Sequence, residues 1–258
     1  MFEGLTAVRV SVEGHVAVVT MDSPPVNALS RPLSDELTQA FDRISDTPDI
    51  RVAVLTGAGR VFCAGADLKN RAALGEPGAL SQHSRRTREC FHAIRECAKP
   101  VVCALNGAAL GSGLAIAASC DILVASEKAS LGLPEIDVGL MGGGRHAMRL
   151  FSHSLLRRMM LTGYRVPAAE LYRLGIVEAC TAPDALLPAA MELARAVASK
   201  APLATSMAKH AANTIEGMSL RDGYRYEQDM TAAISKTEDA NEAQRAFAEK
   251  RPPVFKCC

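Results

Sequence analysis

The chain has 258 residues, 48% of them hydrophobic, and a formal net charge of +1. That length fits one large domain or one domain with an appendage, and the near-zero charge leaves no electrostatic footprint for nucleic acid. Apolar runs are broken by Gly, Ser or Asp well short of the roughly 18 residues a membrane span needs, and the start lacks the basic-then-apolar order of a secretory signal.

The 8 cysteines are Cys63, Cys90, Cys97, Cys103, Cys120, Cys180, Cys257 and Cys258. None forms a CxxC pair, so zinc and thioredoxin-like readings fail and no metal site is expected. Several lie in apolar runs, where a reduced, buried thiol is the usual state. A reducing, cytoplasmic location follows as the expectation. Cys257-Cys258 reads as a frayed tail with oxidisable thiols.

In chain order, Val8–Val12 and His15–Met21 read as a hairpin around Glu13-Gly14. Leu37, Ala40, Phe41 and Ile44 share one side of a helix over Ser34–Ser45. Ser34 is placed to cap it, with Asp35 and Glu36 at its positive end. Val52–Thr56 is a buried strand ending at Gly57, and Gly75–Gly78 marks a loop. Ser81–Ala98 is a polar-faced helix stopped by Pro100. Val101–Leu105 is a strand, Ser112–Ala118 a helix and Ile122–Ala125 a further strand. Strands alternating with helices predict an α/β architecture with parallel pairing. After about residue 185 only helical periodicity remains, over Leu186–Ser199, Leu203–Ile215, Leu220–Ile234 and Asp239–Lys250. The expected division is a core over 1–190 and a helical region over 191–258.

Two segments carry the chemistry. Residues 60–68, RVFCAGADL, and 104–116, ALNGAALGSGLAI, each follow an apolar, β-branched run. Small residues at a strand end let the backbone turn tightly and approach a ligand. Two such turns are able to aim two N–H groups at one point, as an oxyanion hole requires; tight packing alone is the bland alternative. Leu133-Pro134-Glu135-Ile136 adds a carboxylate among apolar neighbours. A partly desolvated Glu has its pKa raised toward neutrality, which suits proton transfer. The alternative is a Glu held near a helix start by the dipole.

The chain resembles the crotonase superfamily, the enoyl-CoA hydratase/isomerase family, essentially end to end. The matching pieces are Pro25-Val26-Asn27-Ala28-Leu29, Phe62-Cys63-Ala64-Gly65-Ala66-Asp67-Leu68 and Lys99-Pro100-Val101 through Asn106-Gly107. Then follow Ala109-Leu110-Gly111-Ser112-Gly113, Cys120-Asp121-Ile122, Pro134-Glu135-Ile136 with Gly139, and Phe247-Ala248-Glu249-Lys250-Arg251. The resemblance implies a spiral of ββα units followed by trimer-forming helices, hence a homotrimer or a dimer of trimers. It implies an acyl-CoA thioester as ligand, with coenzyme A carried by the substrate and no separate cofactor. By motif position it makes Ala66 and Ser112 the oxyanion donors and Glu135 the acid/base. It places CoA contacts on Ala64, Ala66, Asp67 and Leu68, with Phe247 and Lys250 toward the nucleotide end.

Two departures matter. Hydratases of this kind carry a second Glu two residues after the Gly-Gly-Gly turn, where this chain has Ala115. Water addition needs two proton-handling groups, whereas moving a double bond needs one, so isomerisation is slightly preferred over hydration. The segment Gly142-Gly143-Gly144-Arg145-His146 also differs from the family's small residues. His146 titrates near neutral pH, Arg145 suits a substrate carboxylate, and Asp137 is a further helper; a solvated or salt-bridged helix start is the bland reading of all three. Hydration with Asp137 or His146 as the second group, and acyl-CoA binding without turnover, remain open.

Other classes fit worse. Gly107, Gly111 and Gly113 resemble a dinucleotide turn, but that turn belongs at a first strand. None of Tyr164, Tyr172, Tyr224 and Tyr226 is followed four residues later by the Lys a short-chain dehydrogenase needs. Arg85-Arg86 and Arg157-Arg158 are too sparse a basic surface for the RNA binding of one family branch.

Overall fold

The computed structural model describes residues 2–67 and 77–256. The hairpin forms between β1 (Val8–Glu13) and β2 (Val16–Met21). From there a unit recurs in which one strand joins a first sheet, the next joins a second sheet, and a helix closes the turn. The units are β3 (Val52–Gly57), β4 (Val61–Cys63) and α2 (Ala79–Arg95), then β5 (Val101–Leu105), β6 (Ala108–Leu110) and α3 (Ser112–Ala118). A third pair, β7 (Ile122–Ser126) and β8 (Ser130–Gly132), ends in a 3₁₀ helix over Pro134–Val138. This is the spiral of ββα units that the resemblance implied.

The first sheet runs β1-β2-β3-β5-β7-β10, with β10 at Cys180–Thr181, and is parallel from β2 onward. The second runs β4-β6-β8-β9, with β9 at Arg165–Pro167 antiparallel to β8. Three-residue strands are too short to show period-two alternation, so they read as turns in the sequence. The corners between the sheets are tight. A Cβ on Gly57 would lie 2.7 Å from the carbonyl oxygen of Phe62, and one on Gly107 only 2.0 Å from that of Arg60. Asn106 braces the corner, accepting from the Gly57 N–H at 3.1 Å and donating to the Gly59 carbonyl at 3.0 Å.

Helix α1 spans Arg31–Asp46 and buries Leu33, Leu37, Ala40, Phe41 and Ile44. Its cap is Ser30, not Ser34: the Ser30 hydroxyl accepts from the Leu33 N–H at 3.3 Å. Pro32 in the first turn explains the earlier start, because its missing N–H would have no partner there. Ser34 is instead buried and donates to the Arg86 carbonyl of α2. Glu36 lies beyond the first turn and accepts the N–H groups of Thr6, Ala7 and Val8, tying the chain start to α1.

Helices α4 (Gly144–Ala147), α5 (His153–Thr162) and α6 (Ala168–Arg173) follow the 3₁₀ helix. Helix α7 (Pro183–Ala198) then covers the outer face of the first sheet, burying Leu186, Ala190, Met191 and Ala194 against Val52, Val54, Val102 and Val124. Residue 190, the expected division, lies inside α7. Helices α8 (Pro202–Ile215), α9 (Leu220–Ile234) and α10 (Glu238–Glu249) complete the chain. Lys209 anchors α8: its ammonium meets Asp121 at 2.9 Å and the carbonyls of Ile94 and Lys99 at 3.1 Å.

Since a backbone carbonyl blocks the space at Gly107, Gly107→Ala is expected to lose about 3 kcal/mol or more. Gly217 has open space and an ordinary backbone conformation, so Gly217→Ala changes stability by less than about 1 kcal/mol. Urea midpoints of the two variants check both statements.

Candidate active site

Backbone geometry alone builds the first donor. Alongside residues 64–67 runs the segment Val26–Leu29. The Ala64 N–H donates to Val26 at 3.1 Å, the Leu29 N–H to Gly65 at 2.7 Å, and the Asp67 N–H to Leu29 at 3.3 Å. This single parallel bridge between Leu29 and Ala66 leaves the Ala66 N–H on the opposite edge, because successive N–H groups of an extended chain point to opposite sides. Ser112 is the first residue of α3, so its N–H has no partner within the helix. Among the described residues, no turn or loop hydrogen bond uses either N–H.

Glycines bring the two turns together. A Cβ on Gly113 would lie 2.3 Å from the Cys63 carbonyl oxygen, so the start of α3 packs directly on the strand end before Ala66. Gly65, at φ 104, would place a Cβ 3.1 Å from the Leu110 carbonyl oxygen. Only glycine meets both the positive φ and the close approach at that point.

Glu135 enters from the 3₁₀ helix, whose first residue is Pro134. Its Oε1 lies so near the second turn that a Cβ on Gly111 would be 2.7 Å away. Its Oε2 is buried without a hydrogen-bond partner among the described residues. Burial pushes the Glu135 carboxyl above the usual carboxylate range, opposed only in part by a bond from its own backbone. A partly desolvated carboxyl with one unpartnered oxygen, in one cleft with two fixed N–H donors, is equipped to move a proton next to a developing oxyanion.

Ala66, Ser112 and Glu135 line one cleft of about 990 Å³. Its other walls are the start of α1, one side of α2 through His83, Thr87 and Phe91, and the segment Leu140–Gly143. Ala115 also faces this cleft, so no carboxylate occupies that part of α3. His146 is half-buried on the cleft wall, edge-on to Phe91 with ring centres 4.9 Å apart. Burial first, then the charges of Arg149, His92, Arg145 and Arg95, hold its pKa below the ordinary imidazole value.

The remaining expected residues divide. Asp67 lines the cleft, and Ala64 stands just behind it in its bond to Val26. Leu68 lies outside the described residues, as do Cys257 and Cys258. Arg145 opens into an adjoining smaller hollow rather than the cleft. Asp137 is exposed and faces Gly163, where a Cβ would lie 3.0 Å from its carboxylate, so it does not reach the cleft. Phe247 is 88% exposed on α10, and Lys250 caps that helix in the left-handed region at φ 55; neither lines the cleft of its own chain. Among the described residues, no group of three or more His, Cys, Asp or Glu side chains is arranged to hold a metal ion, and no helix is long and apolar enough to cross a membrane.

Asn27 emerges as a supporting residue. It is buried at φ 52; its side chain accepts from the Ser23 N–H at 2.9 Å and donates to the carbonyls of Ala58 and Val61 at 3.0 and 2.9 Å. It thereby holds the Val26–Leu29 segment against the first donor turn. The available signal was an Asn between apolar residues, since Asn tolerates the left-handed region.

Residues 11–257 match the family model described as enoyl-CoA hydratase/isomerase. The chain is 39% identical over 249 residues to YngF of Bacillus subtilis (strain 168), provisionally described as an enoyl-CoA hydratase/isomerase, covering 94% of this chain and 95% of that protein. It is 36% identical over 254 residues to (E)-benzylidenesuccinyl-CoA hydratase of Thauera aromatica, covering 96% and 98%. The crystal structure of enoyl-CoA hydratase from Bacillus anthracis superposes with a TM-score of 0.93 at 32% identity, over 98% of this chain and 100% of that one. Together with the spiral and the paired strand-end turns, these likenesses establish that the chain belongs to the enoyl-CoA hydratase/isomerase family of the crotonase superfamily.

Proposed function

We propose that the protein moves the double bond of a 3-enoyl-CoA thioester to the 2-position. The observation that carries this reading is that Glu135 is the carboxyl set against the Gly111 turn, with one oxygen buried and unpartnered among the described residues, while Ala115 on α3 supplies no second one there. Glu135 takes a proton from C2, the electrons shift onto the thioester oxygen, and the N–H groups of Ala66 and Ser112 receive that charge. The same carboxyl returns the proton at C4, leaving the double bond between C2 and C3. Loss of one such donor costs on the order of 100- to 1000-fold in rate. Coenzyme A arrives with the substrate, and the backbone around Ala64, Ala66 and Asp67 supports its binding; no further cofactor enters the step.

A second reading is hydration, with His146 as the additional proton-handling group. Its support is the position of His146 on the cleft wall and an imidazole kept largely neutral at neutral pH. Asp137 has no such support.

Assembly into a trimer, or a dimer of trimers, fits the exposed apolar side chains of the last helices, with Leu220 91% and Phe247 88% exposed. Phe247 and Lys250 would then approach the nucleotide end of CoA in a cleft to which assembly delivers α10. The free cysteines among the described residues, five buried and Cys180 half-buried, support a reducing, cytoplasmic setting.

Conversion of a 3-enoyl-CoA to the 2-enoyl thioester, reduced by about 100- to 10,000-fold in Glu135→Gln, is the expected outcome. Rapid hydration of a 2-enoyl-CoA, abolished in His146→Ala, would favour the second reading instead. Binding of both thioesters without turnover would leave a carrier of acyl-CoA.

Glu135 also sets a pH dependence. Its folded pKa is raised, so its contribution to stability is full below the unfolded pKa and is lost as pH rises through the folded value. Glu135→Gln is therefore expected to raise the thermal midpoint at neutral pH and to remove that pH dependence. Scanning calorimetry across the acidic to neutral range would detect an unchanged or lowered midpoint, which would contradict the assignment.

A further inference from the structure

Beside the cleft lies a hollow of about 210 Å³, lined by Arg95, Arg145 and Arg149 together with Ser119 and Glu216. It shares three lining residues with the cleft, Phe91, His92 and His146, so the two spaces adjoin along that wall.

Three guanidinium groups face the single carboxylate of Glu216. Arg95 donates to it at 2.7 Å and Arg149 at 3.1 Å. Their other bonds go to backbone: Arg95 to the Asn213 carbonyl at 3.0 Å, Arg149 to that of Ala118. Arg95 Nε is buried and has no acceptor among the described residues. Arg145, the second residue of α4, makes no side-chain hydrogen bond or ion pair among the described residues. The hollow therefore holds an excess of positive charge and unused donors. Burial first, and then these charges together with His92, lower the His146 pKa on the shared wall.

We infer that the Arg95–Arg145–Arg149 hollow receives a carboxylate at the far end of the substrate's acyl chain. The inference rests on the acyl-CoA reading above and narrows it to thioesters of dicarboxylic acids. A guanidinium fork matches a carboxylate in two parallel bonds. A water occupies about 30 Å³ of liquid, so the hollow has room for a carboxylate and a few carbons. The hydrophobic edge of Phe91 would lie along the chain between the reacting carbons and the terminus. Loss of one charge-assisted contact of this kind weakens recognition by about 10- to 100-fold.

The test compares an enoyl-CoA carrying a terminal carboxylate with the alkyl enoyl-CoA of equal length, in the wild-type protein, Arg145→Gln and Arg145→Lys. The expected result is a higher kcat/KM for the carboxylated thioester in the wild type. That preference falls about 10- to 100-fold in Arg145→Gln and recovers in part in Arg145→Lys. No preference in the wild type, or a preference untouched by Arg145→Gln, overturns the inference.

Saturated forms of the same two thioesters, titrated calorimetrically, separate this inference from the catalytic reading. Tighter binding of the carboxylated form that depends on Arg145 supports the hollow even where no enoyl thioester turns over. Equal binding of the two forms overturns it. Free coenzyme A is the last arm: an equal loss of its affinity in Arg145→Gln would assign the hollow to a CoA phosphate and overturn the acyl-terminal assignment.

Discussion

The contact between Gly113 and the Cys63 carbonyl is the constraint on which the site depends. At 2.3 Å for a would-be Cβ, it brings the start of α3 against the end of β4. Those elements come from successive turns of the spiral, so the stacking of the units sets the spacing of the Ala66 and Ser112 N–H groups. Both donors are backbone atoms held by sheets and bridges, and their positions need no side-chain rotamer. An oxyanion hole works only when its dipoles are fixed before charge develops, and a spiral with glycine at the crossing meets that condition directly. Asn27 extends the same logic outward, clamping the Val26–Leu29 segment that flanks the first donor.

Glu135 is held under the opposite condition. Its Oε1 crowds Gly111 and its Oε2 is buried without a partner, an arrangement that penalises the charged form. The 3₁₀ helix keeps it there because Pro134 starts the turn and the Leu140 N–H closes back on the Glu135 carbonyl at 2.9 Å. A group that is uncomfortable as an anion keeps its proton to higher pH and is the stronger base once ionised. The site thus gives up stability at one side chain while the surrounding backbone is made rigid.

Much of this was legible in the sequence. Strands β3, β5 and β7 could be read as apolar runs of five or six residues, and helices α1 and α9 from apolar residues recurring at helical spacing. The second sheet could not, since β4, β6 and β8 have three residues each. The Gly and Ala residues within or directly after them read as turn chemistry, which those positions also perform. The start of α1 was misread because Ser34 and Glu36 have the composition of a helix start, while a tertiary contact claims each of them. Motif order is what singled out Ala66, Ser112 and Glu135, and the structure brings the three to one cleft. Asp137 was not distinguishable from His146 by spacing, because the left-handed residue Gly139 redirects the chain between them.

The division between fixed backbone donors and replaceable side chains explains how one fold serves several reactions. Backbone N–H groups have no side-chain identity to mutate, so Ser112 offers the same N–H that any small residue would offer there. What varies is the lining: Ala115 removes one proton-handling position, His146 adds a neutral imidazole at another wall, and the arginines beyond Phe91 set the polarity at the distal end. In the proposed reading, the reaction follows from which titratable groups reach the α- and γ-carbons, and selectivity from the charge at the far end. Both turn on a few side chains in α2, α3 and the 142–149 segment, whereas the donor turns are set by backbone and glycine contacts.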